Sequence, residues 1–547
     1  MLFTTILLTP LLFQGPQAKN VPREDTALLP DSCVAYLEVP GIAKKRWTSL
    51  FEWLSAQLAS GSRWEPFFPA KVRKGMPLVR SILKGLPRNG IYERMVDLAS
   101  RPFSLGLLRG GAGKLGFYES FRCSSPGMAR YTARKLRFPS LRTSALGNRV
   151  LLSDDQWVLD AFQEAWARQM REGSPSAAAL RVGASLPKTI GPRGFLDLVA
   201  FRPSRSGGKK GMRPLGYLFF GSWAELLQGS DALSFGLEKD GKGFRGSVRF
   251  KGVVERMGAS TKAILGVGKA PRLGAAPPGD FVFSMAFDRE IPAFLSNFEK
   301  LFPLSDQQGL QGFYQQLELF FRGQRAEKLL ASLKGPFRFT EYVPAPKAPA
   351  LRRGGGTLQL GGAFLEAGWA DPKTRKMLPS AMQLFSVGAN QQRKNRGKRS
   401  FLLRKRGGPE RGMLRASLKA PLREEERNLE DLLEPRLAWL GERVALGIGG
   451  AKIWDALESP PQGNRFHEFY TLDCARLWEL VDRLGPLAKA SISLNTQFPP
   501  KVIEKAYPLT QALFEGLGRL SLGLRWGKRD ALLSLQWRPG TGEGGAR

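Results

Sequence analysis

Two stretches of the chain are apolar almost throughout: CVAYLEV at 33–39 and FVFSMAF at 281–287. Runs of this length, rich in β-branched and aromatic residues, predict strands buried on both faces. Each comes after a turn-forming stretch, PDS at 30–32 and PPGD at 277–280, and each precedes a helical pattern. After the first, Trp47, Leu50, Phe51, Leu54 and Leu58 recur at i, i+3, i+4, i+7 and i+11. After the second, Ile291, Phe294, Leu295, Phe298 and Phe302 take nearly the same course. That spacing predicts one apolar stripe per helix, suited to covering one face of a sheet.

The echo continues in the same order along the chain. ERMVDLASRPFSL (93–105) answers EKLLASLKGPFRF (327–339), each a short helix, a proline that stops it, and a strand. NRVLLSDDQWVLDAF (148–162) answers ERVALGIGGAKIWDAL (442–457), each a buried strand, a turn and a helix with a Trp. GFLDLVAF (194–201) is matched with FHEFYTLD (466–473), and the hairpin from Ala232 to Phe250 with the one from Arg519 to Trp537. The first of these hairpins carries Asp240-Gly241, a strong two-residue turn signal. The fold expected is α+β: two homologous units, each a mainly antiparallel sheet with amphipathic helices packed on it. The first spans 19–267 and the second 280–538, joined by a Gly/Pro/Ala-rich linker at 268–279. The tail at 539–547 is too rich in Gly to pack and is expected to be disordered.

At 547 residues and 42% hydrophobic content the chain is longer than most single domains and can bury a large core. Its apolar N-terminus, MLFTTILLTPLLFQGPQA at 1–18, is shorter than a membrane span and gives way at once to polar sequence. This is the outline of a secretory signal peptide ending at Ala18, although no Lys or Arg precedes the apolar stretch and Pro16 stands where a small residue is preferred. The expected location is extracytoplasmic, periplasmic or secreted, with no transmembrane segment after signal removal. The next stretch, ALLPDSCVAYLEVPGIAKKRWTSL, resembles the start of a group of exported bacterial proteins that share a domain of unknown function. Their mature chains begin with a Leu-Pro-Asp turn, a strand and an amphipathic helix, and the strand-helix unit recurs. The resemblance covers 27–58 well and implies an extracytoplasmic setting, but it supplies no catalytic residues.

Charge changes the picture most. With 83 Lys and Arg against 48 Asp and Glu, the formal net charge is +35, a field that draws anionic partners. The densest run is RKNRGKRSFLLRKRGGPER at 393–411, nine basic residues and one acid, inside an insertion near 388–412 that the first unit lacks. Its candidate binding residues are Arg393, Lys394, Arg396, Lys398, Arg399, Arg404, Lys405 and Arg406. Residues 393–400 are expected to be an exposed loop, and 400–418 a hairpin of alternating apolar and basic positions. The partners these imply are an anionic envelope polymer or a membrane surface. Nucleic acid is not expected, because the segment lacks the interleaved aromatics of such modules and export would place it in the wrong compartment.

Enzyme chemistry finds little purchase. Cys33, Cys123 and Cys474 are far apart with no metal-ligand spacing, and each reads as a small buried hydrophobe. A single histidine, His467, within a strand pattern rules out multi-His metal sites and leaves any triad only one possible base. GAGKLG at 111–116 fits the dinucleotide fingerprint in letters only, since a strand rather than a helix comes after it. Asp154-Asp155 and the REEER run at 423–427 are adjacent in sequence, which does not set the fixed separation that acid–base catalysis requires. Asp473 and Asp288 each stand before a helical pattern and are expected to cap it, and Leu477, Leu480, Val481 and Leu484 should form the buried stripe after Asp473. The reading is therefore a non-enzymatic envelope protein with a structural or binding role, using no cofactor and no metal. Two alternatives remain: a carrier of lipid or another apolar ligand, with helices such as GFYQQLELFFRG (312–323) lining a cavity, and a carboxylate-dependent hydrolase.

Overall fold

Strand β1 (Cys33–Val39) is buried at all seven positions because it lies inside a sheet whose two faces are both covered. The structure is a computed structural model that describes residues 26–45, 93–136, 141–189, 191–201, 213–273, 281–344, 350–418, 434–449, 453–483 and 500–540, less a few positions within these spans. The signal-like segment 1–18, the helical pattern from Trp47 to Leu58, residues 274–279 of the linker and the REEER run lie outside the described residues. The chain divides into two compact units, one of residues 1–205 and 230–251 and the other of 206–229 and 252–547. The division thus falls at other residues than composition suggests, and helix 214–229 belongs with the second unit.

In the first unit β1 pairs on one side with β2 (Phe103–Arg109) and on the other with β6 (Arg193–Asp197). Beyond β2 come β3 (Leu115–Arg122), β5 (Arg149–Ser153) and the edge strand β4 (Arg142–Leu146). Beyond β6 come β7 (Ala232–Asp240) and β8 (Gly243–Lys251). All these ladders are antiparallel. Helix α1 (Pro126–Lys135) starts on a capping Ser125 that accepts from Met128 N–H. Helices α2 (Gln156–Glu172) and α3 (Ala177–Ser185) supply Val158, Leu159, Phe162, Ala178, Ala179 and Val182 to the core over Tyr36, Tyr118, Leu151 and Phe195. Burying each large apolar side chain here contributes about 1.5–3 kcal/mol.

Among the described residues the second unit contributes helix α4 (Pro214–Gly229) and twelve strands. At its centre is β9 (Phe281–Phe287), paired antiparallel with β10 (Leu333–Tyr342) and β18 (Glu468–Asp473). A small separate ribbon, β11 (Ala350–Arg353) with β12 (Gly356–Gln359), leads to β13 (Ala363–Trp369) beside β10. Next to β13 run β17 (Arg443–Ile448), β16 (Arg436–Leu440), β15 (Arg411–Leu418) and the edge strand β14 (Phe401–Gly407). On the other side β18 is succeeded by β19 (Arg519–Trp526) and β20 (Ala531–Arg538). One face carries Leu414, Leu437, Trp439 and Val444 under the flanking helices, and the other carries Phe364, Ala438 and Ala445.

Each sheet therefore runs through the same eight strands in the same chain order, and the second adds β14 and β15 beyond β16. The registers agree over most of the paired residues, although β10–β13 shifts between Lys334 and Arg338 where β2–β3 shows no shift. Ala35 faces Leu107 and Leu196; Phe283 faces Glu341 and Leu472. A one-residue irregularity falls between Cys33 and Ala35 in one ladder and between Phe281 and Phe283 in the other. The turns joining β4 to β5 and β16 to β17 each hold a left-handed glycine, Gly147 and Gly441, both at φ +56°.

Some expectations are corrected. The register sets Asp197, not Phe201, in the place of Asp473: both residues end their strands and both cap the turn or helix beyond. Asp197 accepts from Val199 and Ala200 N–H, and Asp473 from Arg476 N–H. Asp288 caps nothing. Arg272 holds it by two hydrogen bonds, of 2.5 and 2.6 Å, and the N-cap of the helix after it, α5 (Ile291–Ser296), is Glu290 without a side-chain cap. The expected helix over Ile291–Phe302 is broken at Asn297, though Ile291, Phe294, Phe298 and Phe302 are buried as its stripe requires. Helices α6 (Leu304–Phe320) and α7 (Ala326–Ala331) come before β10, and α8 (Pro372–Asn395) comes after β13. Helix α9 (Ile453–Glu458) comes after β17. In α10 (Cys474–Arg483) the fully buried residues are Cys474 and Trp478, with Leu477, Leu480 and Val481 only half-buried. The cause is α11 (Pro500–Leu517), whose Tyr507 and Phe514 lie 4.6 and 5.6 Å from the Trp478 ring.

Candidate functional site

The basic segment is built on the end of α8. Asp371 opens that helix by accepting from Lys373 N–H, and Thr374, Leu378 and Ala381 fix its inner face at i, i+4 and i+7. At its far end the Asn390 amide clasps the backbone of Phe401, donating to its carbonyl at 2.8 Å and accepting from its N–H at 2.7 Å. The helix stops at Gly397, φ +66°. There Gly397 N–H reaches Lys394 O and Lys398 N–H reaches Arg393 O, the paired bonds of a Schellman close.

Arg393 is not part of an exposed loop. It is buried: its Nε donates to Arg399 O at 2.7 Å, and its guanidinium lies 4.3 Å from the centre of the Phe401 ring. Residues 393–395 are the last turn of the helix, because the Asn390 clasp brings β14 under it. Lys394, Arg396 and Arg399 are exposed and Lys398 is half-exposed. The 400–418 segment is a hairpin, β14 paired with β15. In β14, Leu403 enters the core with Leu317, Phe320 and Met382, and Lys405 points to the same side. Leu402, Arg404 and Arg406 point to the other, and Arg404, Lys405 and Arg406 are all exposed. From 372 to 409 there are eleven Lys or Arg and no Asp or Glu. Arg411, at the start of β15, is taken up by Glu458 at 2.6 Å. Three of the eight sequence candidates, Arg404, Lys405 and Arg406, thus lie on β14; Lys394, Arg396, Lys398 and Arg399 lie on the last turn of α8 and the link into that strand, and Arg393 is set apart as a structural residue.

The sequence reading passed over the apolar neighbours of this edge. Leu384, Phe385 and Val387 of α8 are 42, 57 and 66% exposed. They lie beyond the stretch where Thr374, Leu378 and Ala381 meet the sheet, a change that a helical plot of 372–395 would have displayed.

Buried carboxylates are committed to arginines. Glu38 takes two hydrogen bonds of 3.0 Å from Arg193, facing it across the β1–β6 ladder. Glu468 lies 2.9 Å from Arg289, with both side chains fully buried, and accepts from Ser222 and Tyr470 as well. Glu366 sits between Arg338 and Arg443, each at 2.8 Å; burial pushes its carboxyl up while the two guanidinium groups pull against it. The register places Ser104, Ser120 and Arg149 of the first sheet where Arg338, Glu366 and Arg443 stand in the second. The smaller serines leave a hollow of about 10 Å³ beside Tyr118 and Arg149, room for one water. A shallow groove of about 360 Å³ between α1 and β4 is lined by Arg130, Arg134, Thr143 and Ser144, polar rather than oily.

The remaining candidates have structural surroundings. His467 is buried; Trp526 N–H donates to its Nδ1, so its Nε2 carries the proton and donates to Lys269 O at 3.0 Å. Burial pulls its pKa down. The three cysteines are free and buried, and burial pushes the Cys33 thiol up to about 12. GAGKLG forms a tight turn with Ala112 and Gly113 at positive φ, leading into β3. Asp155, at the N-cap of α2, pairs with Lys114 at 2.9 Å. Among the described residues no cluster of His, Cys, Asp or Glu suits a metal, and no helix is long and apolar enough to cross a membrane. Compared with known proteins, the chain matches no family model, no curated protein and no solved structure.

Proposed function

We propose that the chain is an exported, non-enzymatic envelope protein, made of one α+β unit written twice, whose second copy holds an anionic surface by its basic edge. The apolar segment 1–18 and the resemblance of 27–58 to exported domain-of-unknown-function proteins support the location. The shared strand order, the matching irregularity in β1 and β9, and the twin glycine turns support duplication, since local composition does not dictate register. A binding rather than catalytic role fits the commitment of Glu38, Glu366 and Glu468 to arginines and the locked neutral form of His467.

One observation carries the binding role. Strand β14, which the second sheet adds together with β15, carries exposed Arg404, Lys405 and Arg406, and the end of α8 before it carries Lys394, Arg396 and Arg399, with no carboxylate from 372 to 409. Charges also blunt sheet edges against aggregation, but that role would not extend to the cations on the end of α8. Replacing Lys394, Arg396, Arg404, Lys405 and Arg406 with Ser should leave the unfolding midpoint nearly unchanged, since exposed charges away from special features shift stability by about 0.5 kcal/mol or less. The salt needed to elute the variant from heparin should fall clearly. Elution with the parent would mean that the charge acts only as a dispersed field and that this edge has no binding role.

A further inference from the structure

We infer that the anionic surface is a lipid bilayer, held by the C-terminal half of α8 lying in the membrane interface; this rests on the anionic-surface role proposed above. Lys394 stands two helical turns after Val387, on the same side of α8, so one exposed stripe passes from apolar to cationic. Arg396 and Arg399 in the closing turn are exposed, and the exposed Lys405 lies on the face of β14 over which α6 and α8 pack, so further cations stand near the cationic end of the stripe. Phe385 is not an isolated exposed ring either: Phe320 of α6 lies 5.9 Å from it, and α6 buries none of its seventeen residues fully while exposing Phe313 and Leu319.

Cations alone would serve for a hydrated anionic polymer. Exposed Leu, Phe and Val gain nothing from such a partner, whereas at a bilayer they enter the acyl boundary while Lys and Arg meet the headgroups. The first unit carries the same combination at the same place in its strand order. Helix α1 comes after β3 as α8 comes after β13, and it exposes Met128 and Tyr131 at 44 and 54% beside Arg130, Arg134 and Lys135.

The test is sedimentation of the full chain with phosphatidylcholine vesicles, with and without phosphatidylglycerol. The parent should bind the phosphatidylglycerol vesicles only. Leu384→Ser/Phe385→Ser/Val387→Ser should weaken that binding about tenfold or more while leaving heparin retention unchanged. In the otherwise native chain, Val387→Cys carrying a polarity-sensitive dye should brighten on the same vesicles, an outcome independent of whether the triple variant folds. Retention on heparin without vesicle binding would overturn the lipid assignment and leave the anionic-surface role standing, with a polymer as its partner. A dye signal unchanged by bound vesicles would equally overturn it. Failure on both heparin and vesicles would remove the underlying role and this inference together.

Discussion

His467 shows how far one residue's surroundings decide its chemistry. A backbone N–H can only donate, so the Trp526 contact at 3.2 Å requires Nδ1 to stay unprotonated. The folded chain thus keeps this imidazole neutral below its ordinary pKa of 6.5, with burial as the first cause. Above 6.5 both folded and unfolded chains hold it neutral, and its full contribution to stability is present. As pH falls below 6.5 the unfolded chain binds a proton that the folded chain refuses. Stability then drops by at most about 1.4 kcal/mol per pH unit until the lowered folded pKa is reached. His467→Gln keeps a donor and an acceptor without titrating. Urea unfolding at pH 7.5 and 5.5 should show the parent losing more stability than this variant; equal losses would contradict the locked neutral form. None of this was legible in RFHEFY, because both partners, at 269 and 526, are brought in by the tertiary fold. The same holds for Arg393, which is indistinguishable in sequence from Lys394 beside it, and for Glu366, whose two arginines come from strands 28 and 77 residues away.

At the scale of elements, the long apolar strands and the last hairpin of each unit were readable because their signals are local. Three of the sequence matches hold in register without a shift: Phe103 with Phe337, Arg149 with Arg443, and Leu233 with Leu520. The pairing of 194–201 with 466–473 slipped by four residues, since apolar strands of similar composition can be slid along one another when only pattern is available. Apart from 393–395, expected as loop, helix α8 drew no reading, and neither did strand β13; Gly, Pro and basic residues dilute their periodicity. The two glycine turns give a direct comparison. At φ +56° a side chain costs about 1–2 kcal/mol, so Gly441→Ala, with open space around its new Cβ, should lose roughly that much. Gly147→Ala should lose more, because its Cβ would meet the Trp166 ring at 2.7 Å. Thermal unfolding of the two variants tests the ordering; a larger loss at 441 would mean that the two turns are not the same structure.

For the whole molecule, composition spoke about class and field while remaining silent on chemistry. A charge of +35 could be spread evenly, and only the placement of 372–409 along α8 and the outermost strand turns part of it into a surface. That placement was half legible: the cluster stood out, but not which of its members is buried or that apolar side chains flank it. The account as a whole stands on export to an anionic envelope surface. The measurement that meets it most directly is fractionation of the native host, with N-terminal sequencing of the recovered protein. The account predicts a chain that has lost Met1 and its apolar segment, found with the envelope and released from it by high salt. Soluble cytoplasmic protein that retains Met1 would contradict it.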